Sequence, residues 1–244
     1  MVKTNNPAGR LYRLLAEARA KETNNHSLLV WAEVLEAVDG SEASTLHRFL
    51  QLIQLFHETK AALEGVKDLN RDLYMSEMHR IENLMFPSTL FRPWNGVKNS
   101  LTDTAMQALA FCAERLSELP LHRDADPHAL AQLQADVEAL SERVIGSDEI
   151  DTEAKGLLVD LLNILREALI EYRIRGPARL REAVEQLVGK LVVNRSKVER
   201  NQSAAVVIEF GRLWTRFTEI VGLVSDINQL APAATDLIRG LLPP

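Results

Sequence analysis

Apolar residues recur at intervals of three and four along nearly the whole of this chain, and no stretch alternates with a period of two for long enough to make a strand. A helix gathers positions i, i+3, i+4 and i+7 onto one face, so the pattern commits the chain to α-helices that bury their apolar faces against one another. With 244 residues and 46% hydrophobic content, there is material for one large core or two smaller ones. The expectation is an all-α fold: an elongated multi-helix bundle of nine or ten helices, in one or two lobes.

Local signals divide the chain into segments. Asn6-Pro7 reads as a cap followed by a first-turn proline, opening a helix that runs to Lys21. A second helix spans Ser27 to Val38 and ends at Asp39-Gly40. Ser41 or Ser44 opens a third, with Leu46, Phe49, Leu50, Ile53 and Phe56 as its inward face. A fourth carries Leu69, Leu73, Met78, Ile81 and Met85, and Pro87 stops it. A fifth runs from Leu101 to Leu119.

Asp126-Pro127 opens the sixth helix, whose Leu130, Leu133, Val137, Leu140 and Val144 form a seam suited to lengthwise packing on a neighbour. The acidic stretch 147–151 precedes a seventh helix, Thr152 to Ile174, since negative charge favours a helix start. Gly176-Pro177 stops it and begins the eighth. A ninth helix, starting between Ser196 and Ser203, extends to about Leu230, and Pro232 opens a short last one.

The least regular stretch is 86–100, where Pro87, Pro93 and Asn95-Gly96 each disfavour helix. Residues 87–100 are expected to connect an N-terminal helical lobe, 1–86, to a C-terminal one, 101–244, or to lie within a single domain. Leu90, Phe91 and Trp94 on this stretch are either a plug into the core or an exposed anchor for a protein partner. The plug is the favoured reading, because exposed apolar patches are uncommon on monomers; the anchor reading makes these three the first candidates for an interface.

Charge is unevenly spread. Residues 101–160 hold thirteen acids against four bases, and residues 166–216 hold eleven bases against six acids. The two segments are expected either to attract each other or to be solvated helix faces. Arg173, Arg175, Arg179 and Arg181 are candidate anion contacts, and the segment 173–200 could serve nucleic acid or an anionic membrane surface. Few aromatics are interleaved for base stacking, however, and the pI of about 5.6 is acidic.

Asp148-Glu-Ile-Asp-Thr-Glu-Ala-Lys-Gly-Leu-Leu158, with Ala168-Leu-Ile-Glu-Tyr-Arg-Ile-Arg-Gly-Pro177 and Leu180-Arg-Glu-Ala-Val-Glu185, resembles a helical pattern that recurs in uncharacterised bacterial proteins. The resemblance covers about forty residues, 148–185. It implies helix in that region and a bacterial origin, and transfers no functional residue.

Several chemistries lack their parts. The nearest two glycines, Gly146 and Gly156, are ten residues apart, too far for a loop that cradles phosphate. None of the six histidines has a Glu three positions before it, as a ferritin-like di-iron bundle requires. The single cysteine, Cys112, can make neither an intrachain disulfide nor a four-cysteine zinc site. His122, Asp124 and His128 are the nearest thing to a metal-ligand cluster. Asp126 beside them is explained as a cap, and no metal or cofactor is expected. His47, His57 and His79 on the third and fourth segments have no nucleophile near them in sequence.

No run of apolar residues approaches the roughly 18 of a membrane span, and the polar start Met1-Val-Lys-Thr-Asn-Asn-Pro7 lacks the apolar core of a secretory signal, so the expected location is the cytoplasm. The functional expectation is a non-enzymatic protein-interaction, scaffold or regulatory protein, binding other proteins or itself. The alternatives are an anion-surface binder and an enzyme whose residues gather from distant helices.

Overall fold

The computed structural model describes residues 2, 6–37, 41–66, 77–118 and 126–222. Among them are eleven α-helices, two 3-10 turns and no strand, so the fold is all-α as expected. The chain divides into two compact units, residues 1–124 with 173–176, and residues 125–172 with 177–244.

The first unit contains α1 (Pro7–Arg19), α2 (Ser27–Val34), α3 (Glu42–Glu64), α4 (Met78–Leu84), α5 (Trp94–Val97) and α6 (Asp103–Ser117), with 3-10 turns at Pro87–Phe91 and Lys98–Ser100. The second contains α7 (Pro127–Gly146), α8 (Thr152–Arg175, of which the last residues belong to the first unit), α9 (Pro177–Val193), α10 (Arg195–Arg200) and α11 (Ala205–Val221). Residues 87–100 lie inside the first unit, not between the two. Leu90, Trp94 and Val97 are buried in its core, which is why so irregular a stretch is held in place.

Asn6 shows how a cap can also serve packing. Its side-chain oxygen accepts the Gly9 N–H at 2.9 Å, and its amide nitrogen donates to the Ala113 carbonyl on α6 at 2.9 Å. Ala8, Leu11, Leu15 and Ala18 give α1 its apolar stripe, and the small Ala105 and Ala113 lie buried on α6. On α3 the buried face is Phe49, Leu52, Leu55, Phe56 and Leu63; the expected inward residue Leu50 is 58% exposed and Leu46 is also at the surface. α2 ends four residues before Val38. Its last turn closes with Glu36 N–H to the Glu33 carbonyl and Ala37 N–H to the Ala32 carbonyl, with Glu36 at φ 52° in a left-handed position usually taken by glycine.

Residues 173–176 complete the first unit. Ile174 is buried in its core. The last carbonyls of a helix lack intrahelical partners and carry its negative dipole end. Arg10 Nε donates to the Ile174 carbonyl at 3.1 Å, and Arg13 donates to that of Arg173 at 3.3 Å. Gly176, at φ +65°, then turns the chain sharply.

In the second unit the seam residues Leu133, Val137, Leu140 and Val144 are buried within the chain against α11, which supplies Val207, Phe210, Trp214 and Phe217. The lengthwise neighbour expected of this seam is thus a helix of the same chain. The ninth segment is two helices, α10 and α11, and α11 stops at Val221, where Gly222 adopts φ 69°. The expected extension to Leu230 and the last helix after Pro232 fall outside the described residues, as do Leu69 and Leu73.

A methyl group on residue 176 would stand 2.7 Å from the Arg10 guanidinium carbon. Left-handed backbone also costs a residue with a side chain about 1–2 kcal/mol. Gly176→Ala should therefore lower the unfolding free energy by about 2 kcal/mol, read from the urea midpoint.

Candidate protein-binding surface

The turn from Met85 to Trp94 is built from the inside out. Leu90 and Trp94 are fully buried, and the Trp94 ring meets Trp31 edge-on at 5.7 Å, with Trp31 in turn 5.6 Å from Phe49. Such tilted contacts suit the ring quadrupoles. Trp94 is therefore the plug.

Burial of an irregular segment obliges its backbone groups to find partners. Trp94 N–H donates to the Asn25 carbonyl at 2.9 Å, and the Ser27 N–H and hydroxyl both donate to the Arg92 carbonyl at 2.9 Å. His26 Nδ1 donates to the Phe91 carbonyl at 2.9 Å. Within the turn, the Thr89 hydroxyl reaches the Leu84 carbonyl at 3.0 Å and that of Phe86 at 2.7 Å. The backbone is thus tied to the start of α2 and to itself at almost every residue.

Two aromatic side chains point away from this fixed backbone. Phe86 is 55% exposed and Phe91 60% exposed, and Leu29, on the first turn of the helix to which the segment is bonded, is 53% exposed. Of the three residues proposed from sequence, Leu90 and Trp94 are core and Phe91 is surface. Phe86 and Leu29 were missed. The available signal was Pro87 and Pro93 bracketing the turn; burial along it comes in blocks, with 86–88 and 91–93 exposed and Thr89, Leu90 and Trp94 buried.

The other candidates fare differently. His122 and Asp124 lie outside the described residues. His128 is exposed, and its backbone N–H donates to Asp126 at 3.1 Å, the expected cap. Among the described residues no group of three or more His, Cys, Asp or Glu is placed to hold a metal ion. His47 is bonded to Gln51 at 3.1 Å, and His57 packs edge-on against Phe56.

In the first unit, Arg173 is shared between Glu17, at 2.6 and 2.8 Å, and Glu36, while Arg175 is half-buried. In the second, Arg179 is buried and paired with Glu171, and Arg181 is exposed. Arg173 and Arg179 thus already hold carboxylates. The attraction expected between the acidic and basic segments takes the form of the pairs Asp136–Arg216, Asp160–Lys190 at 2.9 Å and Glu153–Arg200 at 3.1 Å.

The acidic stretch before α8 caps helices. Asp151 accepts the Ala154 N–H at 2.8 Å and the Asn201 amide at 2.9 Å, and Glu149 accepts the Ala205 N–H that opens α11 at 3.0 Å. Hydrogen bonds from Asn201 and Ala154, with Arg200 nearby, hold the Asp151 carboxyl below its ordinary pKa. Cys112 is buried on α6, and that burial pushes its thiol up to about 12. It is a packing residue, not a nucleophile.

Neither a family model, nor a curated protein, nor a solved structure matches this chain. Because the Cys112 thiol is desolvated and protonated at neutral pH, an aromatic disulfide reagent should leave it unmodified in the folded protein and titrate one thiol per chain in denaturant.

Proposed function

We propose that the chain is a non-enzymatic helical protein that acts by binding another protein, as a scaffold or regulatory subunit, and that its first unit does so through Phe86, Phe91 and Leu29. The observation that carries this reading is the locked turn: large apolar side chains stand exposed on a backbone whose conformation is already fixed by Ser27, His26 and Thr89. A backbone already fixed loses little entropy on binding, and aromatic side chains such as Phe are enriched at protein interfaces. The cytoplasm is the compartment this reading assigns, and the resemblance of residues 148–185 supports a bacterial source. Nucleic acid or an anionic membrane surface is supported less well by the segment 173–200, because Arg173 and Arg179 are engaged internally.

The test is the double variant Phe86→Ala, Phe91→Ala in the full chain. Its melting temperature should stay within about 2 °C of the parent, as for surface substitutions, while partners recovered by affinity purification from the native cell are lost. Trp94→Ala should instead cost about 3–5 kcal/mol of stability. Partner recovery that survives the double variant overturns the reading.

A further inference from the structure

We propose that two copies of the chain pair antiparallel along α3, through a stripe of apolar side chains that the fold leaves outside. α3 buries Thr45, Arg48 and Thr59 on its core face, beside Phe49, Leu52 and Phe56, while Leu46 and Leu50 stand 36% and 58% exposed. A helix that packed only inward would have these residue types the other way round. The core of the first unit therefore does not account for the leucines on the outside of α3.

The exposed stripe has a register of its own. Ala43, Leu46, Leu50, Ile53, His57 and Lys60 follow one another at alternating intervals of three and four, the spacing of a coiled-coil seam. Ala43 and His57 are exposed, and Ile53 and Lys60 are half-buried at the edge of the core face. At 1.5 Å per residue the seam is about 27 Å long.

A second copy is the occupant that this order of residues fits. A two-fold dimer sets one surface against itself, so that surface has to be self-complementary. Run antiparallel, the seam meets itself in layers: Leu50 on the second copy's Ile53, Leu46 on its His57 and Ala43 on its Lys60, then the same three in reverse. Apolar side chains meet in the middle, and the imidazole and the lysine stem, apolar bodies with polar tips, close the ends.

Charge sets the direction. In the antiparallel register Glu42 falls beside the second copy's Lys60, once at each end of the seam. Glu42 is exposed and holds no cation among the described residues, and Lys60, which donates to Glu82 at 3.3 Å, has further donors on its ammonium. A parallel pair would instead set Glu42 against Glu42 and Lys60 against Lys60. One short seam lies at the small end of specific interfaces, so the dimer is a weak one, with a Kd on the order of tens of micromolar. The surface is distinct from that of Phe86 and Phe91, and the inference does not rest on the function proposed for them.

Sedimentation velocity of the full chain, from about 5 to about 500 µM, is the experiment. The average mass should climb with concentration from that of one chain, 27.4 kDa, toward twice that value, and the Phe86→Ala, Phe91→Ala variant should associate as the parent does. Leu50→Glu changes an exposed position, so its melting temperature should stay within about 2 °C of the parent while the Kd rises by at least about tenfold. Glu42→Lys turns two attractions into two repulsions and should weaken pairing by about tenfold, and adding Lys60→Glu should restore it. The proposal is overturned if the chain stays monomeric at the highest concentration, if Leu50→Glu pairs as tightly as the parent, if pairing is lost in the Phe86, Phe91 variant, or if the double charge exchange pairs no more tightly than Glu42→Lys alone.

Discussion

Trp94 is buried on a segment that Pro87 and Pro93 break into a 3-10 turn and a four-residue helix, and that burial dictates much of what surrounds it. Where such a chain passes from one short helical piece to the next, it can enter a core only if other groups take up the free donors and acceptors. Here residues 25–27 do so, pairing with 91–94 through Trp94 N–H to Asn25 and Ser27 N–H to Arg92. The pairing fixes the turn at Pro87–Phe91 against α2, and the fixed turn leaves Phe86 and Phe91 outside while Leu90 is held inside. The proposed binding surface is thus the outer side of the device that seats the plug.

The same accounting governs the helix ends. Asn6, Ser41, Thr102, Asp126 and Asp151 each accept a first-turn N–H. Arg10 and Arg13 close the far end of α8, and Glu149 serves α11, whose own preceding residue, Ala204, has no side-chain acceptor. Many charged residues that could pass for chemistry in the sequence are therefore engaged in satisfying backbone groups or one another. The acidic stretch 147–153 and the arginines 173 and 179 are the clearest cases.

Most of the helical plan was legible because its signals are local. Asn6-Pro7, Asp126-Pro127 and Gly176-Pro177 mark helix boundaries by rules that depend on neighbouring residues alone. The unread parts depend on distant ones. On α3, spacing of three and four fits two adjoining faces equally, and only the position of Trp31 selects Phe49 over Leu50. α2 ends early because Glu36 accepts a left-handed conformation that sequence reserves for glycine, its carboxylate meeting Arg173. Proline-rich irregularity at 87–100 was consistent with a connector, and the segment 25–27 whose pairing makes it core has no signature of its own. For the candidate site, Phe91 could be named but not its facing.

The turn bearing Phe86 and Phe91 is rigid in the free protein because residues 25–27 hold it. Native-state hydrogen exchange at the amides of Ser27 and Trp94 tests this most directly, since both donate in the pairing. These two amides should exchange with the protection of the first unit's core helices, opening only with cooperative unfolding. Exchange at the rate of an open loop, with the helices still protected, would contradict it.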